Sequence, residues 1–325
     1  FKERPYTLDK DQDILVFSGG ERPSNALDAR GLIAHVVSIS KGSLEKLKPK
    51  DARGLVRSKK IMGEMMAGCL SVESDPKAEA TVRGKAHIKP KAILTRLTIG
   101  RKGMGEEIPG VLLRPTKRTG RGTLVVYQDG KSKLFEGRCP NPLASGLLSA
   151  GHDVLSIDCF LTGEYEAPIG SRREVTACQV DYYETYNRTD TALRIQDVLT
   201  SASFLRRACR GIDIVGLGDA GAWCLLASSV ADDIESVAVD LNHFADDSEE
   251  HWMKFYVPGI MRAGGLKAAA VMNAPRRLLI HDAGGEFDGE WVESFYGALS
   301  AEDRLTISEE KLGHEAVLDW IMRKD

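Results

Sequence analysis

The run Gly211-Ile212-Asp213-Ile214-Val215-Gly216-Leu217-Gly218-Asp219-Ala220-Gly221-Ala222-Trp223-Cys224-Leu225-Leu226-Ala227 decides how the rest of this chain is read. A short β-branched segment ends in glycine, turns at once, and continues as an apolar stretch long enough for a buried helix. Gly216, Gly218, Ala220, Gly221 and Ala222 are small enough to let that helix lie close against the strand. A strand, tight turn and helix in this order is the setting in which Gly-x-Ser-x-Gly exposes a nucleophilic serine. With Gly216 as the first glycine, the serine's place is held by Gly218, which has no side chain. The frame is present; the attacking hydroxyl is not.

Around this run, strands and helices alternate. Strand patterns at 122–127, 154–158, 212–217, 236–240, 277–281 and 304–308 are separated by helical patterns at 142–151, 190–209, 220–230, 290–299 and 314–322. Such alternation implies parallel pairing through right-handed crossovers. Three strands at 80–88, 91–99 and 108–115 read as antiparallel and precede the alternation, and a helical, acidic insertion occupies 246–270. The expected fold is therefore α/β, a mixed, mostly parallel sheet of about eight strands covered by helices. Two helical patterns at 25–40 and 51–67 come first, so the division expected is an extended and helical segment, 1–79, before a sheet domain, 80–325. Arg57, Lys59 and Lys60 read as a solvated helix face, and Met62, Met65 and Met66 as core filling.

A chain of 325 residues with 42% hydrophobic content can bury one large core with an accessory segment, or two modest domains. Its net charge of -3 gives no electrostatic reason to expect nucleic acid or an anionic membrane as partner. No apolar stretch approaches the ~18–20 residues of a spanning helix, so the expectation is a soluble protein. Cysteines at 69, 139, 159, 178, 209 and 224 show no Cys-x-x-Cys pair, leaving zinc-ribbon and thioredoxin readings unsupported. No cofactor and no metal is expected. The start, Phe1-Lys2-Glu3-Arg4, reads as a processed product or a fragment, which leaves a periplasmic or secreted location open.

Glu107-Ile108-Pro109-Gly110-Val111-Leu112-Leu113-Arg114-Pro115, Thr123-Leu124-Val125-Val126-Tyr127-Gln128-Asp129-Gly130-Lys131, His152-Asp153-Val154-Leu155-Ser156-Ile157-Asp158 and Tyr186-Asn187-Arg188-Thr189-Asp190, together with the glycine-rich turn, resemble bacterial acetylxylan-esterase-like α/β-hydrolases over about residues 80–325. The resemblance implies the α/β-hydrolase fold and a carbohydrate ester as ligand. Some members look like two hydrolase units in tandem, the second without its serine. Arg4-Pro5-Tyr6-Thr7-Leu8 and the two leading helices resemble such a second unit, which implies a catalytic hydrolase unit, upstream or on a separate chain, as partner.

Acyl transfer in this fold takes a nucleophile, an acid and a histidine in that chain order. His314, after the strand at 304–308, fills the place of the general base. Asp282 and Glu286 both follow the strand at 277–281 as candidate acids, with Asp240 a third choice. Asp219 offers an alternative nucleophile in the register Leu217-Gly218-Asp219-Ala220-Gly221, similar to haloalkane dehalogenases and epoxide hydrolases; it also suits a helix N-cap. Gln128, Asp129 and the Ala220 amide mark the expected oxyanion region, where a carboxylate such as Asp129 would disfavour a developing negative charge. Gly216-x-Gly218-x-x-Gly221 with Asp240 also matches a dinucleotide fingerprint, although its place fifth in the sheet argues against one. His243, Asp246, Asp247, Glu249, Glu250 and His251 show no metal-ligand spacing and read as a solvated acidic lid. The leading expectation is a catalytically degenerate hydrolase unit with a structural or binding role. The alternative is an active hydrolase using Asp219 and His314.

Overall fold

Nine strands form one twisted sheet in the computed structural model, which describes residues 6–17, 23–88, 92–165, 186–244, 251, 254–285 and 287–323. Two units are distinguished, 1–45 and 46–325. The first holds a single helical turn, Asp11–Ile14, and helix α1 (Ala29–Glu45), whose first turn is tied by Asp28 accepting from the Gly31 N–H at 2.7 Å.

The second unit begins with helix α2 (Ala52–Leu70), capped by Asp51, which accepts from the Gly54 N–H. Leu55, Met62, Met66 and Leu70 fall on one stripe and are buried in the same cluster as Leu266 and Ala269, so this helix packs into the large unit's core. Met65 points outward. Lys59 departs from the solvated face expected of it: its ammonium donates to the Ala274 carbonyl, and burial beside Arg276 pushes its pKa down to about 8.

Strands β1 (Ala78–Ile88), β2 (Ala92–Arg101) and β3 (Ile108–Pro115) pair antiparallel, as their alternating patterns suggest. Then follow β4 (Arg121–Tyr127), helix α3 (Pro142–Ser149), β5 (Asp153–Ile157), helix α4 (Asp190–Arg206), β6 (Gly211–Leu217), helix α5 (Ala220–Val230) and β7 (Ser236–Asp240). Helix α6 (Gly265–Asn273), β8 (Arg277–His281), helix α7 (Gly289–Gly297), β9 (Leu305–Ile307) and helix α8 (His314–Met322) complete the unit. The order across the sheet is β1-β2-β3-β5-β4-β6-β7-β8-β9, with every pair from β5 to β9 parallel and β3 antiparallel to β5. Parallel strands are covered on both faces, which explains the burial of β4 to β8 at all but single terminal positions and the two core clusters of the unit. The acidic residues 246–250 of the expected lid lie outside the described residues.

Helix α5 sits unusually near β7. A Cβ at Gly221 would lie 1.7 Å from the Asp240 carbonyl oxygen, and one at Gly216 would lie 2.7 Å from the Ala220 carbonyl oxygen. Both obstacles are backbone and cannot swing aside, so Gly221→Ala is expected to cost about 3 kcal/mol or more, read from urea unfolding midpoints. A second prediction comes from Asp197 on α4, which accepts the Phe160 N–H at 2.8 Å. Burial pushes its pKa up to about 7. The folded chain therefore keeps a proton that the unfolded chain releases near pH 4, and stability falls as pH rises from there through 7. Asp197→Asn keeps the acceptor oxygen and should flatten that fall, gaining on the order of a few kcal/mol over wild type at pH 8 and little at pH 4.

Candidate active site

Six loops leave the C-terminal ends of the parallel strands on one edge of the sheet, the place where open α/β sheets bind ligands. The turn after β6 is central. Gly218 has φ +64, the left-handed conformation of a nucleophile elbow, while Asp219 has φ -54. In the serine frame, Gly218 takes the nucleophile's position and Asp219 is the following residue.

Gln128, from the loop after β4, closes on this turn. Its Oε1 accepts the Asp219 N–H at 2.9 Å, and a Cβ placed on Gly218 would lie 2.3 Å from that oxygen. The Asp219 amide is the donor that this fold aims at an oxyanion, the N–H of the residue after the nucleophile. Here a side chain of the same protein occupies it. Asp129, feared as a charge beside the oxyanion, is exposed and pairs with Lys133 at 3.5 Å. Ala220 is fully buried at the start of α5.

The Asp219 carboxylate is held from two sides. It makes no side-chain cap to its helix; Oδ1 accepts from Asn242 Nδ2 at 3.0 Å and Oδ2 pairs with Lys254 Nζ at 2.5 Å. One turn along α5, Trp223 carries the Arg194 guanidinium 4.7 Å from its ring, and Arg194 Nε donates to the Phe160 carbonyl.

Beside the elbow, two carboxylates are sunk at the ends of adjacent strands. Asp240 accepts the N–H groups of Gly218 at 3.2 Å and Asn242 at 2.8 Å. Asp282 has φ +54, a strained conformation for a residue with a side chain, and Asn242 and His243 share it at φ 50 and 55. Lys311, from the loop after β9, bridges the pair, 2.7 Å from Asp240 Oδ2 and 2.9 Å from Asp282 Oδ2. His243 Nε2 stands 2.8 Å from Asp282 Oδ1. Burial would raise the pKa of Asp282, but the Lys311 ammonium and its neighbours outweigh it and hold the carboxyl below its usual range. His281 is buried and accepts the Leu312 N–H on Nδ1 at 3.3 Å, and burial chiefly pushes its pKa down.

The structure therefore brings together Gln128, Asp219, Asp240 and Asp282 but does not join them to His314. That histidine is half-buried at the first position of α8, and no hydrogen bond or ion pair links it to Asp219, Asp240 or Asp282 among the described residues. Glu286 lies outside the described residues. Asp240, the acid a dinucleotide ribose would need, is committed to Gly218, Asn242 and Lys311. Among the described residues no group of three or more His, Cys, Asp or Glu is arranged to hold a metal, and no helix is long and apolar enough to cross a membrane. Lys311, Asn242 and Lys254 were not singled out in the sequence; as isolated surface-type residues they carried no spacing signal.

No protein-family model and no curated protein sequence matches the chain. Solved structures do. A candidate acetyl xylan esterase from Bacteroides fragilis NCTC 9343 aligns with a TM-score of 0.63 and 13% identity over 96% of this chain and 87% of its own. A glucuronoyl esterase from Solibacter usitatus aligns with a TM-score of 0.57 and 10% identity over 83% and 93%. Acetyl xylan esterase 1 from Thermoanaerobacterium sp. gives 0.51 and 13% over 85% and 96%. The strand order, the elbow and these neighbours agree: the chain has the α/β-hydrolase fold, with esterases of the acetyl xylan and glucuronoyl type as its structural neighbours.

Proposed function

We propose that this chain is a hydrolase-fold unit that has lost acyl transfer and serves in binding a carbohydrate ester or in supporting a partner hydrolase unit. One observation carries the reading. Gly218 holds the elbow conformation without a nucleophile, and Gln128 fills the space and takes the amide that would stabilise an oxyanion. Removal of a nucleophile alone can leave residual catalysis from the oxyanion hole, but here that donor is engaged as well. The names of the structural neighbours supply the ligand class.

The second reading, hydrolysis through Asp219 with His314 as base, has the elbow's location in its favour. Against it stand the right-handed backbone of Asp219 and its carboxylate's engagement by Asn242 and Lys254. A nucleophile needs a base within hydrogen-bond reach, or one water away.

Two outcomes are expected. Wild type, Asp219→Asn and His314→Ala should turn over p-nitrophenyl acetate and acetylated xylan at the same background rate. Turnover by wild type that both substitutions abolish would overturn the proposal. Gly218→Ser should be destabilised by about 1–2 kcal/mol, since a side chain enters a left-handed site already filled by Gln128, and should stay inactive. Adding Gln128→Ala should recover part of that stability in thermal unfolding, because it clears the obstruction but not the backbone strain.

A further inference from the structure

The opposite edge of the sheet, at the N-terminal ends of β4 and β6, carries a feature that the net charge of -3 conceals. The loop at 116–120, between β3 and β4, and the loop at 207–210, between α4 and β6, border an open surface depression of about 430 Å³. Its lining includes Arg118, Arg207 and Arg210 together with Thr119 and Gly120, and contains neither an acidic nor an aromatic side chain. Each arginine is set in place by a specific contact. Arg118 Nε donates to Asp153 Oδ1 at 2.8 Å, and its Nη2 donates to Asp153 Oδ2 at 2.6 Å. Arg207 Nη1 donates to the Ala78 carbonyl at 2.6 Å.

Arg210 is held by its backbone and stem. Its N–H donates to the Gly120 carbonyl at 2.7 Å, and its Cδ would stand 3.6 Å from a Cβ at Gly120, so the stem lies across the glycine. No hydrogen bond or ion pair engages its guanidinium among the described residues. Behind the depression, Arg114 joins Arg118 on Asp153 at 3.1 Å. The nearby acids at this edge are committed elsewhere. Asp213 and Glu235 hold Arg121, while Asp75 and Asp233 hold Arg206. Arg114 and Arg118 share the single buried carboxylate of Asp153, and no described carboxylate pairs with Arg207 or Arg210, so four arginines stand against one acid, a surplus of three positive charges.

A monovalent carboxylate offers two oxygens and one charge, too little for this surplus. A tetrahedral dianion offers several acceptors, and guanidinium forks grip such a group with paired, charge-assisted hydrogen bonds. A single-stranded nucleic acid would also be anionic, but its binding rests on aromatic platforms for the bases, and the lining has none. We propose that this arginine cradle is a phosphate-binding site, taking a phosphate dianion either free or as the head of a phosphomonoester, with Arg210 as the guanidinium that the ligand completes. The site lies at the far edge of the sheet from the elbow, so it stands or falls independently of any activity there.

The test is calorimetric titration of the whole chain with inorganic phosphate, a hexose phosphate, acetate and duplex DNA. Wild type should bind phosphate saturably at one site, with acetate at least about tenfold weaker, the difference that one charge-assisted hydrogen bond can supply. Arg210→Gln should weaken phosphate binding about tenfold or more, with a thermal midpoint without ligand close to that of wild type since the guanidinium has no partner to lose, and Arg210→Glu should weaken binding further. Stronger binding of the hexose phosphate would assign the head group to an ester, and equal binding to free phosphate; either supports the cradle. Phosphate should also raise the thermal midpoint of wild type, a readout independent of any variant. The proposal is overturned by absence of both saturable heat and midpoint shift with phosphate, by variants that bind like wild type, or by DNA binding without phosphate binding.

Discussion

Helix α5 can leave strand β6 at its observed angle only because three positions at the junction have no side chain. Gly216 and Gly221 let the helix backbone approach within a Cβ's width of its neighbours, and Gly218 turns the chain through a left-handed conformation. The sheet is laid out around that junction. β6 lies between β4 and β7, so Gln128 at the end of one and Asp240 at the end of the other reach the turn from both sides. Close packing, needed to seat the helix, is thus also what brings polar side chains onto the elbow.

Those polar groups form a connected chain, in which the buried Asp282 Oδ1 has an ion-pair contact from His243 but no hydrogen bond. Gln128 takes the Asp219 amide; Asn242 and Lys254 take the Asp219 carboxylate; Asp240 takes two amides and Lys311; Asp282 takes Lys311 and His243. Buried polar groups cost free energy when unpaired, and satisfied networks hold one conformation firmly. A catalytic site of this fold leaves a hydroxyl, an imidazole and an amide turned toward substrate. Here Gly218 carries no hydroxyl and Gln128 takes the Asp219 amide, while Asn242, His243 and Asp282 hold positive φ beside them.

Much of the architecture was legible beforehand because it rests on periodicity. The alternation of β-branched runs with apolar helices gave strands and helices close to those observed, with nine strands in the sheet where about eight were expected. The elbow was readable because glycine spacing is a backbone requirement written directly in sequence. Lys59 was misjudged because a lysine among exposed neighbours carries no mark of the carbonyl it will meet. Asp129 was misjudged for a related reason: two adjacent side chains in a turn point apart, and only Gln128 faces inward.

By itself, the amino-acid order determined the layering of the sheet, the place of the turn and the absence of a side chain at Gly218, since each depends on local pattern or on the identity of one residue. Tertiary structure alone decided which side chains fill the vacant position, that Lys311 clamps Asp240 to Asp282, and that arginines from separate loops gather on one edge of a chain whose total charge is negative. The physical reason is that electrostatic and hydrogen-bonding partners here lie tens of residues apart, and their meeting is set by strand order, which composition and spacing do not encode.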